Sequence, residues 1–422
     1  MSINYLRKIF FNNNYINKTK GIISSSIFSK SITVLSLPLI TRLYDPDNFG
    51  VYTAFASTIS LINPISTFRY ERAIVIAKNE SEEIKIVFTS ILLSIFTSIL
   101  LFFGIIFVNQ YFFKFRNFIE ILITIPIGAM LVGFYQPLYY FAIKKNKFSS
   151  ISRSKIIQSI GCLLSQLILF PTGSIGLIVG YIILNSSGFE SSFLQITKLS
   201  LKRFRRNLFN IPLIIKKYID FGFYLTLSSI VESVGNNLPK LIILNTFGQE
   251  ALGFLGLSIS LYNIPIFIAT NSFGAFFISN VNNLFIKGSL KKEVKTIIFN
   301  LLILGCLFCL ITNLLVPHLV VLFLSYKWMP IVKILRIISP LFICELISSS
   351  INASFYPSRK LKISSSYQLL LSCLRIIPLL IAIKLNFNFD NSLLIYVIGS
   401  CLGYILQIRF FTKNSAKLLK KS

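Results

Sequence analysis

Long apolar runs separated by short polar gaps give this chain its pattern. About twelve runs cover residues 21–41, 50–68, 85–108, 119–141, 156–172, 174–196, 219–245, 251–279, 296–316, 331–356, 365–383 and 392–411. A helix needs about 20 mostly apolar residues to cross the hydrocarbon of a bilayer, and each run reaches or approaches that length. The fifth is the shortest, and the seventh is interrupted by Asn236, Asn237 and Pro239. The pattern predicts an all-α membrane protein with about 12 transmembrane helices. Pro38, Pro64, Pro126, Pro137, Pro239, Pro265, Pro340 and Pro378 fall inside runs one, two, four, seven, eight, ten and eleven. Proline removes a backbone donor and clashes with the turn before it, so these helices are expected to bend. Such bends are either tolerated in membrane helices or used as the joints of a moving assembly.

The charge follows the same rhythm. The chain has 42 Lys and Arg against 14 Asp and Glu, a net charge of +28, yet 54% of it is hydrophobic. When the gaps are taken alternately, one side collects 32 of the basic residues and the other 5. The last 5, namely Lys30, Lys240, Lys333, Arg336 and Arg375, lie inside runs. Short loops rich in Lys and Arg stay in the cytoplasm. Both termini and the stretch 198–217 are therefore expected inside, with the 44–48 and 248–250 loops outside. A one-helix error would scramble this alternation, so it also supports an even number of crossings. Basic residues confined to alternate loops exclude nucleic acid as the partner. Arg7, Lys8, Lys18 and Lys20 precede the first run with no compact apolar stretch or small-residue cleavage site, so no cleavable signal is expected.

Internal similarity divides the chain. Tyr44 to Ile65 reads YDPDNFGVYTAFASTISLINPI, and Phe247 to Ile266 reads FGQEALGFLGLSISLYNIPI. Aligning Gly50 with Gly253 matches a short acidic loop, a glycine at the helix start, a neighbouring aromatic and a Ser-rich stretch. Each half holds six crossings, so the repeat is parallel, with its axis along the membrane normal. The expected organisation is an N-terminal six-helix bundle over 1–200, a basic cytoplasmic linker over 201–217 and a second six-helix bundle over 218–422. Two similar bundles facing a central cavity form transporter architecture.

Charge at membrane depth costs roughly 2.5–3.5 kcal/mol per residue on insertion scales, so each such group needs a reason. Ser26, Lys30 and Thr33 form one stripe on the first run at helical spacing. Ser228, Glu232, Asn236 and Lys240 form another on the seventh at successive steps of four. Arg375 is central in run eleven, Glu345 central in run ten, and Glu190 lies in the inner part of run six. Gln166, Asn263 and Asn271 add uncharged polarity. These charges either pair with one another or snorkel to an interface, as suits Lys240, Lys333 and Arg336, or they line a cavity, as suits Lys30 and Arg375. Glu232 reads as a proton or cation site, or as a counter-ion to Lys30 or Lys240.

Catalytic motifs are missing: the sequence holds no GxxxxGK[ST], no GxGxxG after a strand and no HExxH. No enzyme activity and no cofactor are expected, and energy would come from an ion or substrate gradient. Cys306 and Cys309 form a CxxC inside an apolar run, which reads as two small apolar residues. His318 has no partner histidine, so no metal site is expected.

Four stretches carry a family resemblance. GIISSSIFSKSITVLSLPLITRLYDPDNFGVYTAFASTISL, RYERAIVIAKNESEE (Arg69 to Glu83), GFLGLSISLYNIPIFIATNSFGAFFISNVNNL and YKWMPIVKILRIISPLFICELISSSINASFYPSRKLK (Tyr326 to Lys362) are similar to bacterial polysaccharide-unit flippases. These are the O-antigen and capsule repeat-unit translocases of the MATE-like multidrug/oligosaccharidyl-lipid/polysaccharide superfamily. The resemblance implies a V-shaped pair of six-helix bundles with runs one and seven lining the cavity. It implies an undecaprenyl-diphosphate-linked oligosaccharide as cargo, moved to the outer leaflet of the bacterial inner membrane. Membrane lipid and other polysaccharide-assembly proteins are its implied further partners. A basic residue in run one matches the family pattern at Lys30, although lysine lacks the bidentate phosphate geometry of arginine.

Together these readings make Lys30, Arg375, Lys240, Asn236 and Asn263 the candidate cargo-binding residues. Glu232 and Glu345 are the candidates for proton or sodium coupling. Two alternatives stay open. A cation-coupled drug exporter of the same superfamily should favour buried carboxylates, whereas Lys30 and Arg375 suit anionic cargo. A membrane enzyme or polymerase of the polysaccharide pathway usually carries a large outer loop, and none here exceeds ordinary connection length.

Overall fold

A computed structural model describes residues 14–111, 119–188, 211–286, 290–352 and 361–419. Glu190, residues 198–210 of the basic stretch and the side chain of Asn271 lie outside what it describes. The described chain is helical, with no strand. In order the helices are α1 (Asn14–Leu35), α2 (Leu37–Leu43), α3 (Pro46–Ser66), α4 (Glu80–Tyr111), α5 (Ile119–Lys144) and α6 (Phe148–Ile168). They continue with α7 (Ser174–Ser186), α8 (Ile211–Ile286), α9 (Leu290–Leu319), α10 (Pro330–Asn352), α11 (Leu361–Lys384) and α12 (Phe389–Leu419). A 3₁₀ turn over Tyr70–Ile76 joins α3 to α4.

Every apolar run is met by helix. By length and composition, five stretches among the described residues suffice for a crossing: Glu80–Phe107, Gly222–Thr270, Lys292–His318, Ser366–Lys384 and Phe389–Phe410. The second has 49 residues and serves two runs, because α8 is broken at Gly248, whose φ is 88° and ψ −179°. Only glycine adopts that backbone without strain. Runs seven and eight are thus one continuous pair of helices around a single glycine corner.

Run one is also two helices. The sequence predicted a bend at Pro38; instead α1 ends at Leu35 and α2 starts at Leu37. Proline near the start of α2 has no N–H to lose there and cannot extend the preceding turn. The Ser36 hydroxyl caps the break by donating to the Thr33 carbonyl at 2.8 Å. Elsewhere hydroxyls bond their own helix: Thr41 to the Leu37 carbonyl at 2.8 Å, Ser90 to Ile86 at 2.9 Å and Ser258 to Phe254 at 2.7 Å. Lipid offers polar groups no partner, so these small residues satisfy themselves locally. Large apolar side chains point outward instead. Phe96, Phe103 and Phe107 on α4, and Leu307, Leu310 and Leu314 on α9, are exposed, as a lipid-facing surface requires.

Two compact units account for the described residues. One comprises 1–23, 37–50 and 242–422, the other 24–36 and 51–241. They do not coincide with the sequence division at 201–217. The segment 37–50 packs with the C-terminal helices, and the first half of α8 packs with the N-terminal ones.

Within the first unit, a tight corner explains the placement of 37–50. Trp328 is fully buried, and its indole Nε1–H donates to the Thr41 carbonyl at 2.8 Å. Its ring meets Phe49 and Phe254 edge-on, with centroids 5.0 and 5.8 Å apart. Lys327 pairs with Asp45 at 2.9 Å, and Arg42 donates to the Leu322 carbonyl at 2.9 Å. Backbones touch at two glycines. A side chain on Gly50 would overlap the Gln249 carbonyl, and one on Gly253 would overlap the Pro46 carbonyl. Gly50 stands to Gly253 as Pro46 stands to Gln249, at the same spacing along the chain. The contact is therefore reciprocal between the residues that the internal repeat aligns.

The second unit holds two apolar clusters. Tyr70, Ile74, Ile86, Leu138, Phe141 and Tyr218 form one near the 3₁₀ turn. Phe55, Ile59, Ile125, Val132 and Ile178 form the other, deeper among α3, α5 and α7. The start of α8 is tied to this unit by polar contacts. Glu82 accepts from Lys217 and, at 3.0 Å, from Tyr218, while Tyr70 donates to the Ile215 carbonyl at 3.2 Å. The bond from Lys217 lowers the pKa of the Glu82 carboxyl, and the same contact raises that of the Lys217 ammonium. Lys145 adds ion pairs to Glu80 at 2.9 Å and Glu83 at 3.0 Å.

Candidate functional site

Lys30 lies on α1 in the second unit, with its side chain open to water although protein atoms surround it on most sides. Depth combined with accessibility means that it lines an internal recess. Lys155, two turns into α6, lies close enough for the two ammonium groups to repel each other. Among the described residues Lys155 forms no ion pair with a carboxylate. Bringing two like charges together in a poorly solvated space is unfavourable, and an anion placed beside them lowers that repulsion.

Helix α6 supplies one wall because Lys155, Gln158 and Cys162 recur at i, i+3 and i+7 on a single face. Cys162 is buried and within range of both Lys30 and Tyr52. Gln158 is buried, and its Nε2–H donates to the Ser187 carbonyl at 2.9 Å, which fixes the amide. Tyr135 of α5 lies near Gln158. Tyr135 and Tyr139, four apart on α5, stack with centroids 5.9 Å apart and planes 26° apart. Tyr52 meets Tyr181 edge-on at 6.0 Å, and the Ser60 hydroxyl, farther along α3, donates to the Ala56 carbonyl at 2.7 Å. The Ser60 carbonyl in turn accepts from Ser233 of α8.

The 3₁₀ turn of the same unit carries a further charged cluster. Phe68 and Arg69 adopt left-handed backbone, with φ of 49° and 53°. Two consecutive non-glycine residues there are strained, and the packing around Glu71 holds them. Glu71 is fully buried, accepts from the Thr67 hydroxyl at 2.6 Å and lies 3.6 Å from Arg69. Burial, and then the nearby Arg72, lower the pKa of the Arg69 guanidinium.

The other sequence-predicted residues lie elsewhere. Arg375 is in the first unit, 4% exposed, with Nη2 donating to the Tyr404 hydroxyl and Cζ 4.9 Å from that ring's centre. Tyr396 and Glu345 also face it electrostatically. It therefore joins α11 to α12 and stands beside α10. Glu345 is half-buried beside it. On α8, Glu232 and Asn236 have exposed side chains, and Lys240 folds back to donate to Asn237 at 3.2 Å. Asn263, in the first unit, is exposed. Of the seven predicted residues, Lys30 alone lies in the recess.

Lys155 and the four tyrosines were missed. Lys155 counted among loop cations, because the apolar run starts after it while the helix starts at Phe148. The signal that could have found it was the polar stripe Lys155, Gln158, Cys162 and Gln166 at helical spacing.

Several solved transporters share the fold. A lipid II flippase, MurJ, in an inward closed conformation matches with a TM-score of 0.68 at 15% identity, over 93% of this chain and 87% of that one. A MOP superfamily transporter from Pyrococcus furiosus, described as having reversed binding-pocket polarity, matches at 0.62 and 12% identity, over 98% of each chain. A multidrug resistance MATE family transporter in an outward-facing conformation matches at 0.60 and 12% identity, over 98% of this chain and 99% of that one. No curated protein matches the sequence. The family of polysaccharide biosynthesis proteins matches residues 39–333, most of the chain. On that match, the chain belongs to the polysaccharide biosynthesis protein family.

Proposed function

We propose that the protein is a flippase that carries an undecaprenyl-diphosphate-linked oligosaccharide from the cytoplasmic to the outer leaflet of the bacterial inner membrane. The observation that carries this reading is the convergence of Lys30 and Lys155 in one deep, water-accessible recess. A diphosphate entering it exchanges hydration for two charge-assisted contacts. The family's place in polysaccharide biosynthesis supports the cargo class, and the MurJ-like fold supports the mode of movement. A drug exporter for cationic cargo would put carboxylates where these lysines stand.

The membrane potential favours the direction. Moving two negative charges away from a negative interior is worth about 4.6 kcal/mol per 100 mV, at about 2.3 per charge. The orientation follows from the basic loops: the Glu82–Lys217 end faces the cytoplasm and the Trp328 corner faces outward. Cysteine at Asn48, in a chain freed of its 6 native cysteines, should react with an impermeant thiol reagent in intact spheroplasts. Labelling only after lysis would invert the topology.

The functional test is the pair Lys30→Gln and Lys155→Gln. Both variants should insert at normal levels while lipid-linked oligosaccharide accumulates on the cytoplasmic side, and Lys→Arg at either site should keep transport. Full surface-polysaccharide display by the double glutamine variant would overturn the reading.

A further inference from the structure

The chain carries six free thiols, and two of them meet across a helix seam. Cys344 of α10 and Cys401 of α12 stand with their sulfur atoms close enough to interact. Other contacts fix the register of the same seam. Glu345, next to Cys344, faces Tyr404, which lies one turn beyond Cys401. A further turn along, the Ser348 hydroxyl donates to the Gln407 side-chain oxygen at 2.9 Å, and both groups are buried. The three pairs advance in step along the two helices, so they trace one line of contact inside the first unit.

Two touching cysteines admit a plain reading, that of small side chains filling a gap between helices. The seam also meets the demands of a covalent bond. A disulfide needs Cα atoms about 4.4–6.8 Å apart, and helices come that close only where the residues between them are small. Ser348 and the two cysteines are the small side chains on this line. Neither cysteine is fully buried, so a small uncharged oxidant can reach both sulfurs. Cys306 and Cys309 differ in that they share α9, where a bond between them would join no second helix.

We propose that Cys344 and Cys401 form a paired-thiol site that a peroxide converts into a disulfide, stapling α10 to α12. Hydrogen peroxide is small and uncharged, so the hydrocarbon does not exclude it as it excludes an ion. One sulfur takes an oxygen from the peroxide and becomes a sulfenic acid, and its proton leaves in the first water. The other sulfur then attacks it. The S–S bond forms as the S–O bond breaks, and the second proton leaves in a second water. Two thiols and one peroxide thus give one disulfide and two waters. The new bond adds a covalent tie to the seam that Ser348 and Gln407 hold by a hydrogen bond. It lies one turn from Tyr404, the partner of Arg375, and restricts the unfolded chain more than the folded one.

The test uses full-length protein in lipid nanodiscs with all six cysteines in place. One sample is treated with hydrogen peroxide and another with dithiothreitol; both are then alkylated with iodoacetamide, digested and read by mass spectrometry. The peroxide sample should yield a peptide pair joined through Cys344 and Cys401, from protein that runs as a monomer on a non-reducing gel. The reduced sample should yield the two peptides separately alkylated. Thermal unfolding should show a higher Tm for the oxidised protein, and dithiothreitol should return it to the reduced value. Cys344→Ser and Cys401→Ser should each lose both the joined pair and the Tm shift. Peroxide-treated wild type that yields Cys344 and Cys401 only as separate alkylated or sulfinic peptides, or joined only between two copies, overturns the proposal. So does a joined pair in protein that melts no higher than the reduced form, because a strained bond would not staple the helices.

Discussion

Lys30 and Arg375 are both cations at membrane depth, and the fold treats them in opposite ways. Arg375 is 4% exposed and answered by its own surroundings, with the Tyr404 hydroxyl and ring against it and Glu345 near. Lys30 stands in an accessible recess beside a second cation. The first charge is spent on joining helices. The second stays accessible to water beside a like charge. Depth in the membrane therefore does not separate structural from functional charge; the identity of the neighbours does.

The largest effect should come from the buried partner set. Arg375→Ala removes the charge-assisted bond to the Tyr404 hydroxyl and the cation–π contact with its ring, and should cost about 3–5 kcal/mol of stability. Thermal unfolding in detergent should show it as a large fall in Tm or as loss of folded protein. A stable Arg375→Ala protein that fails only to bind cargo would break the comparison.

Next are the recess lysines. Losing one charge-assisted contact should weaken binding of undecaprenyl diphosphate by about 1.5–3 kcal/mol. Because Lys30 and Lys155 repel each other, Lys155→Gln should leave Tm unchanged or raise it. A marked fall in Tm would make Lys155 a structural residue like Arg375.

The glycine corner should respond at a similar or smaller scale. Gly50→Ala or Gly253→Ala forces a methyl into a backbone carbonyl and should cost about 1–3 kcal/mol. The two single variants should behave alike, since the contact is reciprocal. A double variant much worse than the sum of the two would show that the corner cannot relax.

The smallest effect belongs to the Glu82–Lys217 contact, whose lysine is half-exposed so that water screens the pair. Its pH dependence has a definite sign. The folded Glu82 pKa is lowered, so its contribution is present above the unfolded value, about 4.3, and is lost as pH falls through the folded one. Glu82→Gln should flatten the acid limb of a Tm–pH curve and leave neutral pH nearly unchanged.

How much of this was readable from the chain follows the same division. The twelve apolar runs each became helix because hydrocarbon demands internal backbone pairing, a constraint that single-sequence patterns carry well. The repeat alignment at Gly50 and Gly253 reappeared as a physical contact. Lys30 was readable as part of a polar stripe, with Ser26 and Thr33, inside an apolar run. Arg375 looked identical in sequence, and only Tyr404, 29 positions away, distinguishes it. Lys155 was hidden because the apolar run starts at 156, after the helix has already begun at Phe148. The tyrosines were hidden because phenols pass as apolar in such counts, while their hydroxyls converge only through tertiary packing. The exchange of 37–50 and 211–241 between compact units was likewise invisible, since it depends on which carbonyl Trp328 finds and which carboxylate Lys217 finds.

The crossing of Gly50 and Gly253 also constrains how the gene can change. A duplicated sequence normally lets one copy drift while the other keeps its role. Here each copy supplies the carbonyl against which the other copy's glycine is pressed, so a codon gained in either half injures both. The two positions share one inheritance although the chain separates them by nearly half its length. Any engineered chimera that replaces one half with a relative's must therefore bring a glycine at the matching position, or replace both halves together.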